Sequence, residues 1–94
     1  MGESIKGWSW EDVKLQLPIG SEVVGTVWSV KPYGVWVDLG VGFDGLILVP
    51  ELAGEGPKQP EDYPQVGTRV SAKVLWHADH KQQISLTQRT KPGN

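Results

Sequence analysis

A chain of 94 residues has room for one domain with a modest core, and the absence of cysteine excludes disulfides and thiolate metal sites as its supports. The formal net charge of -2 argues against a protein that grips phosphates through a broad basic surface. Five tryptophans are many for this length, so some are expected to serve as exposed ring platforms rather than core.

The first eight residues read as a leader without a hydrophobic signal region. Ser9-Trp10-Glu11-Asp12 starts a short helix, with Ser9 as N-cap and acids in the first turn. Trp10, Val13 and Leu17 share one apolar face, and Pro18 with Gly20 ends the helix. So short a helix is marginal alone, so its Trp10 face is expected to pack on the rest of the chain.

From Gly20 the pattern is that of strands. Ser21 to Val30 is rich in Val, Thr and Trp, and Lys31-Pro32-Tyr33-Gly34 is a turn. Val35, Val37 and Leu39 alternate with Trp36 and Asp38, which defines a second strand with an inner and an outer face. A glycine-rich link leads to a third strand, Leu46 to Val49, and Pro50-Glu51-Leu52 reads as a helical turn. Ala53 to Gln65 is a loop of Gly, Pro and acids. Thr68 to Trp76 is the fourth strand, with Val70, Ala72 and Val74 inward and Trp76 on the same parity, hence partly buried. Ala78-Asp79-His80-Lys81 is a hairpin, and Gln82 to Gln88 is the fifth strand, with Ile84 and Leu86 inward. Five strands interrupted once, between the third and fourth, predict an all-β chain: a five-stranded barrel of the oligonucleotide-binding (OB) fold with a short N-terminal helix. The expected division is 1–18 leader and helix, 19–89 barrel, and 90–94 flexible tail.

Two glycines predict local irregularity. Gly25, among bulky strand residues, suggests a bulge or a sharp coil. Tyr33 and Trp36 are three apart and would face opposite sides of a regular strand; a bulge at Gly34 would bring both rings outward.

Five segments in order make the chain resemble the S1 RNA-binding domain family: Gly20 to Val27, Tyr33 to Gly40, Gly45 to Leu52, Val66 to Leu75, and Ile84 to Thr87. The resemblance implies a face for single-stranded RNA built from two aromatics on the second strand, a His on the third, and an Asp and an Arg around the last hairpin. The aromatics fall on Tyr33 and Trp36 and the Asp on Asp79. Leu48 stands in place of the His, Gln83 in place of the Arg, and Pro50 in place of a common Ser. These departures predict weaker RNA binding or a changed partner. Trp28, pointing outward beside Thr26, could add a third ring, and Lys31, Lys73, Lys81 and Arg89 could add charge.

Plainer roles stand beside these. Tyr33 and Trp36 could cover barrel edges, Lys31 and Lys73 could be solvated strand charges, and Asp79 could simply form its turn. Trp8 and Trp10 read as packing residues. Gly40, Gly42 and Gly45 have dinucleotide-binding spacing but join antiparallel strands with no following helix. His77, Asp79 and His80 spread across a hairpin tip and lack a fourth metal ligand. No nucleophile has a base and orienter beside it. The expectation is a non-catalytic, cofactor-free RNA-binding module of the cytoplasm. It would be a monomer without membrane attachment, accessory to translation or RNA metabolism, with ribosomal or RNA-processing proteins as further partners. The rival expectation is a protein-interaction barrel with weak or no RNA binding.

Overall fold

A computed structural model describes residues 7–54 and 59–89. Five strands close on one another: β1 (Glu22–Lys31), β2 (Gly34–Asp38), β3 (Asp44–Leu48), β4 (Arg69–Ala78) and β5 (Gln83–Thr87), in the spatial order β1-β2-β3-β5-β4. All neighbours are antiparallel except β3 and β5. β1 closes the barrel because it is long enough for two partners. Its first half pairs with β4, from Glu22 opposite Lys73 to Thr26 opposite Arg69, and its second half with β2, down to Lys31 opposite Gly34.

Alternation fills the interior as expected. Val23 and Val27 of β1, Val35 and Val37 of β2, Ile47 of β3, Val70, Ala72 and Val74 of β4, and Ile84 and Leu86 of β5 are all buried. Each well-buried aliphatic side chain contributes roughly 1.5–3 kcal/mol relative to exposure.

The irregularities lie elsewhere than predicted. No register shift occurs at Gly25 or Gly34; the two shifts fall at Trp28 in β1 and Leu75 in β4. Gly25 serves close approach instead: a Cβ there would lie 2.6 Å from both the Asp38 carbonyl oxygen and Val37 Cγ1. It sits just before β1 changes partners, where the strand must pass tightly over β2. A Cβ on Gly34 would collide with the Ile47 carbonyl oxygen and lie 2.9 Å from Leu48 Cα. Tyr33 reaches the outer side without a bulge because it belongs to the Pro32-Tyr33 turn, outside the strand's parity.

Each end of the barrel has its own cover. At one end the loop after β3 begins with a short 3-10 turn, Val49–Glu51, and returns Leu52 and Tyr63 to the core. The Tyr63 hydroxyl donates to the Pro32 carbonyl at 2.9 Å, tying this loop to the β1–β2 turn.

The other end is covered by α1 (Trp10–Gln16). Ser9 and Asp12 form a reciprocal capping box at its start, as the residue types predict. Trp10 and Val13 are its buried residues, and Trp10 meets Phe43 edge to face at 5.2 Å and His77 at 6.1 Å. Polar contacts hold the helix in place. Trp10 Nε1 donates to Asp79 Oδ1 at 2.8 Å, and Lys14 Nζ donates to the same oxygen at 3.1 Å. His77 Nε2 lies 2.8 Å from the Leu17 carbonyl at the helix C-terminus.

Gly34→Ala drives a methyl into backbone and should lower the unfolding free energy by about 3 kcal/mol in urea titration. Gly40→Ala, with φ of +77° but open space around it, should lower it by only about 1 kcal/mol. The indole of Trp10, then the ammonium of Lys14, hold the Asp79 carboxyl below its ordinary 3.8, while Asp79 raises Lys14 above its ordinary 10.5. Asp79's share of the helix contact is thus present above 3.8 and lost as pH falls through its lowered folded value; Lys14's is present below 10.5 and lost as pH rises through its raised one. Acid titration followed by tryptophan fluorescence should show a transition on the acid side of 3.8 that Asp79→Asn lacks.

Candidate nucleic-acid interface

The outer face of β2, β3, β5 and β4 forms one groove of about 600 Å³. Its centre is a single row of paired residues. Trp36 on β2 stands opposite Leu46 on β3, Leu46 opposite Ser85 on β5, and Ser85 opposite Trp76 on β4. The row therefore begins and ends on a tryptophan, with a lower floor between.

Both shifts in register shape this face. In β1, Val27 pairs with Val37 but Ser29 pairs with Trp36, leaving Trp28 as the extra residue. Trp28 is exposed and its ring centroid lies 6.4 Å from that of Trp36. In β4, Val74 pairs with Leu86 but Trp76 pairs with Ser85, leaving Leu75 extra. That single residue reverses the parity beyond it. Trp76 was expected partly buried beside Val74; instead it is 59% exposed and lines the groove.

At one end of the groove stand Tyr33 and Leu48, and Trp36 Nε1 donates to the Tyr33 hydroxyl at 3.1 Å. The bond fixes the two rings relative to each other and leaves Tyr33 46% exposed. At the other end are Asp79, Lys81 and Gln83. Among the described residues the Gln83 amide has no hydrogen-bond partner, whereas the Asp79 carboxylate accepts from Trp10 and Lys14. The charge at this end is thus largely balanced within the protein, and Lys81 is the lysine that lines the groove.

The sequence-predicted residues divide accordingly. Tyr33, Trp36, Asp79, Lys81 and Gln83 line the groove, and Trp28 borders it through Trp36. Lys31 is exposed at the foot of the β1–β2 turn. Lys73 is not brought to this face: it pairs with Glu22 and Thr87 and lines a separate hollow on the far side of β4. Arg89 donates to the Pro50 carbonyl at 3.3 Å. The residue that alternation missed is Trp76, and the uninterrupted apolar run Val74-Leu75-Trp76 holds no cue to the extra residue.

Among the described residues no group of three His, Cys, Asp or Glu side chains could hold a metal ion, and no helix is long and apolar enough to cross a membrane.

Comparison with known proteins agrees with this architecture. Small ribosomal subunit protein bS1 of Chlamydia trachomatis is 37% identical over 79 residues, which are 83% of this chain and 14% of that protein. The chain thus spans a small part of the curated relative it matches. Among solved structures, GSP13 from Bacillus subtilis superposes with a TM-score of 0.68 and 28% identity, covering 81% of this chain and 66% of that one. A chain of the a/eIF2alpha-aDim2p-rRNA complex from Pyrococcus horikoshii gives a TM-score of 0.68 and 30% identity, covering 76% of this chain and 44% of that one. The family model described as the S1 RNA binding domain matches residues 16–89, a span that contains every strand of the barrel, and the chain belongs to that family.

Proposed function

We infer that this domain is a non-catalytic module that binds single-stranded RNA along the β2-β3-β5-β4 groove. The observation that carries this reading is the Tyr33–Trp36 pair, two rings joined by a hydrogen bond and open at the groove's edge. Base–aromatic stacking contributes roughly 1–3 kcal/mol per base and tolerates any sequence. Trp28 extends the ring surface beyond Trp36. Lys81 in the groove and Lys31 beside the turn supply the phosphate contacts. Family membership supports RNA as the ligand. A role in translation or RNA metabolism draws on a relative that is a ribosomal protein and on a likeness to a chain solved in a complex with rRNA.

A second reading is favoured by one observation, the exposed Leu48 where the family has a polar contact: the groove would then bind a protein. Salt separates the two. Each phosphate contact on a single strand adds about -0.7 to the slope of log affinity against log salt, so one or two contacts give a slope between roughly -0.7 and -1.4. An apolar protein contact would not weaken as salt rises.

Replacing both rings, Tyr33→Ala with Trp36→Ala, should weaken RNA binding by about 100-fold in fluorescence polarisation, since two stacking surfaces are lost. The circular dichroism spectrum should be unchanged, as neither ring belongs to the core. Binding that survives this double change would place the RNA elsewhere on the protein.

A further inference from the structure

The Trp36-Leu46-Ser85-Trp76 row has a feature that a general stacking surface does not need. Its two large rings sit at opposite ends and its interior positions are low. Three inter-strand steps of roughly 4.8 Å separate the two tryptophan positions, about 14 Å in all. Stacked bases follow one another at about 3.4 Å, so a run of roughly three bases matches the span from ring to ring. The floor suits base edges and faces rather than phosphates, being Leu46 and Ser85, with Leu48 toward one end and the neutral Gln83 toward the other. At the rim, Trp10 and Lys14 both donate to Oδ1 of Asp79, so the Lys14 ammonium offsets the carboxylate's charge while Oδ2 stays open among the described residues.

We propose that Trp76 is a second stacking terminus, and that Trp36 and Trp76 together hold a run of about three bases with a preference for purines. The proposal rests on the RNA-binding reading above and adds to it the far wall of the site and the class of strand. Trp76 offers its ring only because the ladder skips Leu75: in a regular register Leu75 would pair with Ser85 and Trp76 with the buried Ile84. With few cations in the groove, the free energy of binding comes mainly from stacked area. A purine offers two fused rings to a tryptophan and a pyrimidine one. Preferences that arise from stacking strength need no hydrogen-bond readout.

The test uses the full chain and end-labelled hexamers of adenylate and uridylate, read by fluorescence polarisation at low salt. The wild-type protein should bind the adenylate hexamer several-fold more tightly than the uridylate hexamer. Trp76→Ala should weaken adenylate binding by about tenfold, the equivalent of one stacked base, and narrow the difference between the two hexamers. Trp76→Phe should restore most of the loss. Because Trp76 is 59% exposed, both variants should melt close to the wild type.

Wild-type affinity in Trp76→Ala would overturn the second terminus. If the Tyr33→Ala, Trp36→Ala protein still lost its binding, the RNA-binding reading would stand. Equal affinity for the two hexamers would overturn the purine preference. Failure of the wild type to bind either hexamer would remove both readings together.

Discussion

Which side chains a barrel strand turns outward is a matter of parity, and in this molecule two single-residue insertions decide it. A strand has two faces, and a shift of one residue exchanges them along everything that follows. The extra residue at Trp28 lets Trp28 and Ser29 both lie on the outer side, while Val30 returns to pair with the buried Val35. The extra residue at Leu75 lets Val74 stay in the core while Trp76 leaves it. Each insertion sits in one of the two ten-residue strands. Long strands must bend to close a barrel, and bulges supply that bend along with a stronger local twist. The same devices that let the sheet curve therefore turn Val30 toward Val35 in β1 and turn Trp76 onto the outer face in β4.

The N-terminal helix depends on the barrel more than on itself. Seven residues are too few to stay helical in water, and the capping box satisfies only its first turn. Trp10 supplies the rest, packed against Phe43 and His77 and hydrogen-bonded to Asp79. These contacts join the β2–β3 loop, β4 and the last hairpin to one indole. They also occupy the acid that the family resemblance assigns to RNA. Asp79 thus forms part of the groove wall while its carboxylate is held by the helix. That side chain ties the helix to the Lys81 end of the groove.

Much of the barrel was legible because alternation is strong where one face is buried. Val35 and Val37 against Trp36 and Asp38, or Ile84 and Leu86 in β5, leave no ambiguity of period. The strand ends were off by a residue or two, as expected where hydrogen bonding fades into turns. What could not be read were features whose cause lies elsewhere in the chain. Tyr63 lies in a segment of prolines, glycines and acids, and only its bond to Pro32 shows why it is buried. Asp79 meets Trp10 across a separation of 69 residues. Lys73 has the outward parity assigned to it but lies on a part of β4 that pairs with Glu22, away from the rings. Parity says which side of a strand a residue takes; only the closed order of strands says which side chains meet there. The Leu75 insertion was silent for a different reason. Bulged and regular versions of Val74-Leu75-Trp76 are equally apolar, so the pattern carries no mark of the register.

Two residues that break the family's pattern and the residue that parity hid share one face of the barrel. Leu48 and Gln83 take a ring and a cation away from the groove, and Asp79 is bound to the helix. A face so altered would hold a strand weakly if charge were its main resource. On the proposed reading Trp76 would change that balance, because a ring at the far end of the row works through contact area and loses little to ionic screening. The substitutions then read as a coherent change of means. A groove that depended on phosphates would grip any polyanion, duplexes included, since phosphates are shared by all of them. A groove bounded by tryptophans requires bases that are free to leave their partners. On the proposed reading, an acidic protein with a ring-rich face would discriminate strandedness through what it lacks as much as through what it has.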